Sequence, residues 1–165
     1  MFTTTNSIQA PNWTPDGKKL IYNSEGRMYQ YHLNEGTVSP LNTGFAIKNN
    51  NDHVLSFDGT LMGLSSHNPA DMNNSTLYYL PSEGDSNPVV VNKPGLGASY
   101  LHGWSPDNKE MLFTGQRNGK YDIYSFFLFF TSVSSDDLLC LYFFGLFFFS
   151  NFFFSFSSIS FFFLS

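Results

Sequence analysis

Gly103-Trp-Ser-Pro-Asp-Asn-Lys-Glu-Met-Leu-Phe113 reads as a tight turn set between two β-strands, and the chain carries two more copies of it. They are Asn12-Trp-Thr-Pro-Asp-Gly-Lys-Lys-Leu-Ile-Tyr22 and Leu55-Ser-Phe-Asp-Gly-Thr-Leu-Met-Gly-Leu64. Each has an apolar residue and a small hydroxyl before the turn, and a β-rich run after it, which is a hairpin signature. In the first copy proline presets φ, Asp16 bonds the local backbone and Gly17 accepts positive φ. Asp58-Gly59 keeps that step, and Asp107-Asn108 replaces glycine with asparagine, the next best residue for positive φ.

The aspartates Asp16, Asp58 and Asp107 stand 42 and 49 residues apart. That is close to the repeat of a four-stranded propeller blade, about 40–45 residues. A polar insertion from His67 to Asn74 accounts for the longer gap. Arg27–Leu33, Ser75–Pro81 and Tyr121–Ser125 supply a third strand to each blade; Val38–Asn42 and Pro88–Asn92 supply an outer strand to the first two. The expectation is an all-β fold: a partial β-propeller of four-stranded antiparallel blades, about two and three-quarter blades long.

Composition breaks after residue 125. Of 20 Phe residues, only Phe2, Phe45, Phe57 and Phe113 precede Phe126. Residues 1–125 are therefore the propeller fragment, and residues 126–165 a Phe/Ser/Leu-rich tail foreign to it. After Asp137 the tail has 28 uncharged residues, enough to span a bilayer. It lacks Ala, however, and no Lys or Arg follows Lys120, which is unlike a natural span. Phe, Ser and Leu share pyrimidine-rich codons, so a noncoding tract read in frame would give the same text. Two readings stand, a mistranslated region without structure or a membrane segment. Membrane association is expected only if the tail is genuine coding sequence.

The net charge of −5 is mild, and the eight Lys and Arg are unclustered, which argues against a nucleic-acid partner. Cys140 is the single cysteine, so no internal disulfide forms. The amino terminus lacks the basic start and apolar run of a signal peptide, and the compartment is left unassigned. No nucleophile elbow, phosphate loop or Cys/His metal cluster is present.

Trp104-Ser-Pro-Asp107 with Asp122-Ile-Tyr124, and Trp13-Thr-Pro-Asp-Gly-Lys18, resemble the TolB-like propeller repeat over about residues 8 to 125. The resemblance implies that the segment before each turn is the innermost strand, lining a central channel. Trp13, Leu55 and Trp104 are then expected in the core between blades. Asp16, Gly17, Asp58, Gly59, Asp107 and Asn108 are expected as structural turn residues. TolB-like propellers occur in periplasmic or exported scaffold proteins, beside peptidase domains and in some lyases, so the fold does not fix the function.

His53 and His102 each stand five positions before a blade aspartate, where the first blade has Pro11. Equivalent imidazoles on adjacent channel strands are candidate ligands for a divalent metal or an anion, with Asn50, Asn51 and Asp52 nearby. The plainer reading makes them structural, capping backbone groups or bonding the next blade. His32 and His67 look peripheral. No catalytic residue is assigned and no cofactor is required. The expected activity is non-enzymatic binding of a protein or small ligand on the channel face. The alternatives are a fragment of a metal-dependent polysaccharide lyase of oligogalacturonate type, or of a peptidase-associated propeller.

Overall fold

The computed structural model describes residues 3–128. The tail from residue 129 onward, and with it both readings of that tail, lies outside the described residues.

Three antiparallel sheets follow one another along the chain. The first has the order β1 (Gln9–Trp13), β2 (Lys19–Ser24), β3 (Arg27–His32) and β4 (Thr37–Pro40). The second contains β5 (Asn49–Leu55), β6 (Leu61–Asn68), β7 (Asn74–Pro81) and the two-residue β8 (Val89–Val90). The third has three described strands, β9 (Ser99–Trp104), β10 (Glu110–Arg117) and β11 (Lys120–Phe127). Each sheet is a blade, and the first strands β1, β5 and β9 lie beside one another. Among the described residues there is no α-helix, and only a 3-10 turn at Pro69–Asp71 interrupts the strands.

The repeat fixes the pairing. Trp13 pairs with Leu20, Leu55 with Met62 and Trp104 with Met111, so all three copies share one register. The third strand closes identically each time: the amides of Leu33, Ser82 and Leu128 donate to the carbonyls of Lys18, Thr60 and Lys109. Leu128 therefore closes the third strand of blade three, and β11 runs past the composition break at residue 125. Phe126 packs against the blade core and Leu128 is buried within it, because both fall on the inward side of the strand alternation. The polar insertion lengthens a hairpin: β6 and β7 stay paired out to Asn68 and Asn74, and the 3-10 turn forms the tip.

Two apolar clusters seal the blades together. Ile21 and Met28 of blade one meet Met62, Leu64, Tyr78 and Leu80 of blade two. Leu77 of blade two shares the second cluster with Leu101, Trp104, Met111 and Phe113 of blade three. Polar straps cross the same seams. Asn23 Nδ2 donates to the carbonyls of Asn49 and Asn50, and Ser65 Oγ accepts from the amide of Leu101.

Candidate functional site

The turn aspartates are committed to structure. Thr14, Ser56 and Ser105 donate their hydroxyls to Asp16, Asp58 and Asp107 at 2.6, 2.7 and 2.6 Å. These hydroxyls, then the amides of Lys18, Thr60 and Lys109, hold the three carboxyls below the usual carboxylate pKa. Gly17, Gly59 and Asn108 follow with φ of 69°, 72° and 60°. Asn108 has an additional contact, since its Oδ1 accepts from the amide of Phe57 at 2.7 Å and so links the turns of neighbouring blades.

The three apolar residues before the turns diverge. Trp104 is 6% exposed and donates its indole N–H to the Val54 carbonyl at 3.0 Å. Leu55 packs, half-buried, against the cluster between blades one and two. Trp13 departs from the expected core placement and is 63% exposed. The seam that buries Trp104 needs a preceding blade, and no described blade lies against Trp13.

The histidines diverge as well, because the two first strands bulge at different places. In blade two His53 pairs with Leu64, and the irregularity falls between Asn49 and His53. In blade three Leu101 takes the corresponding place opposite Phe113, and His102 sits in the irregularity itself. A one-residue slip reverses the face a side chain takes. His53 is accordingly buried between blades one and two, whereas His102 is exposed. Burial drives the His53 pKa down to about 4; the nearby backbone of Ile21 and Ala10 offsets this only in part, neither ring nitrogen forming a well-aligned hydrogen bond. His53 is neutral at physiological pH. The equal spacing from the aspartates does not become a matched pair of ligands, and among the described residues no group of three His, Cys, Asp or Glu could hold a metal ion.

What the first strands do form is a shallow cleft of about 320 Å³, walled by Ala10, Pro11, Asn12, Asn51, Asp52 and His102, with His53 beneath. Asn12 is fixed there, its Nδ2 donating to the carbonyls of Ala10 and His53. Burial raises the pKa of Asp52, and the charge of His102 acts against that rise, so these two groups of adjacent blades feel each other. The cleft offers one carboxylate, one exposed imidazole and two carboxamides. That set can hydrogen-bond a polar or cationic group, but it contains no activated nucleophile. Sequence reasoning placed Asp52 and Asn51 near the site and missed Asn12. His32 bonds Ser39, and His67 bonds the Asn73 carbonyl at the hairpin tip, both away from the cleft.

No family model matches the chain. It is 43% identical over 128 residues to an uncharacterized protein of Agrobacterium fabrum, a match covering 76% of this chain and 41% of that protein. Among solved structures, a putative TolB from Agrobacterium tumefaciens aligns with a TM-score of 0.69 and 42% identity, over 75% of this chain and 43% of the other. TolB from Acinetobacter baumannii aligns with a TM-score of 0.59 and 24% identity, over 75% and 30%. The tricorn protease aligns with a TM-score of 0.53 and 12% identity, over 70% and 12%, a likeness of fold alone. The chain thus spans less than half the length of the relatives it matches. Three sheets in one register, joined face to face and repeating a turn in which a Ser or Thr hydroxyl bonds an aspartate two residues on, make the described residues part of a TolB-like β-propeller.

Proposed function

We propose that this chain belongs to a non-enzymatic propeller module that binds a protein segment on its channel face. The observation that supports this reading is the cleft along the first strands, where Asn12, Asn51, Asp52 and His102 present polar groups from adjacent blades. An extended segment lying across such strands can exchange hydrogen bonds with the carboxamides and place a basic or amide group against Asp52. The lyase reading requires several converging metal ligands, and His53, buried between blades one and two, does not meet the exposed His102. Family habit points to an exported location, which stays part of the proposal; among the described residues no helix is long and apolar enough to cross a membrane.

Selection of displayed random peptides against the immobilised chain tests the reading. The expected result is enrichment of sequences carrying Lys or Arg, lost when the chain is Asp52→Asn/His102→Ala. Peptides enriched equally on that double variant would place binding elsewhere and overturn it.

A further inference from the structure

All three first strands lose their regular pairing at the cleft. In β1, Ala10 and Pro11 stand opposite Tyr22 alone, since Gln9 pairs with Asn23 and Asn12 with Ile21. In β5, Asn50, Asn51 and Asp52 share the place opposite Ser65, between the Asn49–Ser66 and His53–Leu64 pairs. In β9, His102 is the residue without a partner. Ala10 holds a φ of 47°, a conformation that favours glycine over a residue with a Cβ. Bulges re-aim side chains. These three re-aim theirs into one place, since Ala10, Pro11, Asn51, Asp52 and His102 all wall the cleft.

The polarity of that place follows from how its amides are used. Asn12 Nδ2 spends both hydrogens within the chain, on the Ala10 carbonyl at 2.9 Å and the His53 carbonyl at 3.1 Å. Its Oδ1 is the end left over, and an oxygen of this kind only accepts. Asn50 braces the neighbouring bulge: its Nδ2 donates to Ser75 Oγ, and its Oδ1 accepts from the Asp52 amide at 3.0 Å. The Asp52 carboxylate is half-buried. Burial raises its pKa, and among the described residues only the charge of His102, not a hydrogen bond, acts against that rise. A partly desolvated carboxylate without donors is costly. Because Asn12 is bonded to the His53 carbonyl, its free oxygen is held one residue away from Asp52, on the adjoining blade.

We propose that the cleft admits a primary alkylammonium, and that Asn12 sets this choice. The inference rests on the channel-face reading, in which the ammonium is the head of a lysine in the bound segment. An ammonium brings a charge to Asp52 and three N–H donors, one of which Asn12 Oδ1 accepts. A quaternary ammonium brings the same charge and no N–H. A carboxylate meets acceptors like itself. Trimethylation of the partner's lysine therefore closes the site to it while leaving its charge intact.

Nuclear magnetic resonance titration of the isotope-labelled full chain tests this, with Nα-acetyl-lysine amide, its Nζ-trimethyl form and butylammonium as probes. The lysine amide should shift the Asn12 side-chain amide and the Asp52 backbone amide to saturation. The trimethyl form should bind at least about tenfold more weakly, the worth of a hydrogen bond to a charged group. Asn12→Ala, confirmed as folded by circular dichroism, should lose most of that discrimination. Equal binding of the two lysine forms to the parent would overturn the proposal, and so would undiminished discrimination in the folded variant. Butylammonium separates the proposal from the wider reading. If it matches the lysine amide while peptide display enriches nothing, the ammonium site stands and the protein-segment reading falls.

Discussion

Trp104 and Trp13 hold one position in two copies of the same repeat, yet one is 6% exposed and the other 63%. Their strands pair in the same register and their turns carry the same hydrogen bonds. The repeat decides where the indole points; the preceding blade decides whether it is buried. Energy follows the second factor. Trp104→Ala should cost about 3–5 kcal/mol, the range for emptying a packed aromatic site, while Trp13→Ala should stay within about 0.5 kcal/mol of the parent. Urea denaturation of both variants checks the contrast, and equal losses would break it.

Burial acts on electrostatics as well, at His53. The folded chain holds His53 neutral, with a pKa of about 4 against an ordinary 6.5. Between those values the unfolded chain binds a proton that the folded chain refuses, so stability falls as the pH drops. The loss across this window should approach about 3 kcal/mol. His53→Leu should flatten the profile between pH 7 and pH 4. Urea midpoints measured across that range decide it.

The turns and strands were legible because they are local. Asp-Gly and Asp-Asn steps between apolar runs specify a hairpin whatever surrounds them. The site was not legible, since equal sequence offsets at His53 and His102 translate into equal placement only if the strands bulge alike. The bulge lies before His53 in one strand and at His102 in the other, and each is settled by packing across the seam. The boundary at 125 misled for a related reason. Composition changes at Phe126, but pairing with β10 and inward alternation continue through Leu128. The straps carried a signal, since Asn23 and Ser65 each stand seven residues after a turn aspartate.

Glycines sharpen the contrast between a seam and an open strand. A Cβ at Gly63 would stand 2.6 Å from Leu101 Cδ2 and 2.8 Å from Met111 Cε, and one at Gly103 would meet nothing within 4 Å. Neither has positive φ, so packing alone separates them. Gly63→Ala should cost about 1–3 kcal/mol by overpacking. Gly103→Ala should be within about 0.5 kcal/mol of the parent. Thermal melts of the two variants read the difference directly.

The smallest effect concerns Asn108, where two terms oppose each other. Its φ of 60° favours glycine, as at Gly17 and Gly59. Its side chain, however, is the acceptor that ties the Phe57 amide of blade two to the turn of blade three. Asn108→Gly relieves the backbone by a few tenths of a kcal/mol and gives up one hydrogen bond worth about 1 kcal/mol. The net loss should be well under about 1 kcal/mol, and the Phe57 amide should exchange with deuterium faster than in the parent. If stability rises instead and exchange at Phe57 is unchanged, the link between the turns contributes nothing. The seam between blades two and three would then rest on its apolar cluster, the Trp104–Val54 hydrogen bond and the Ser65 strap.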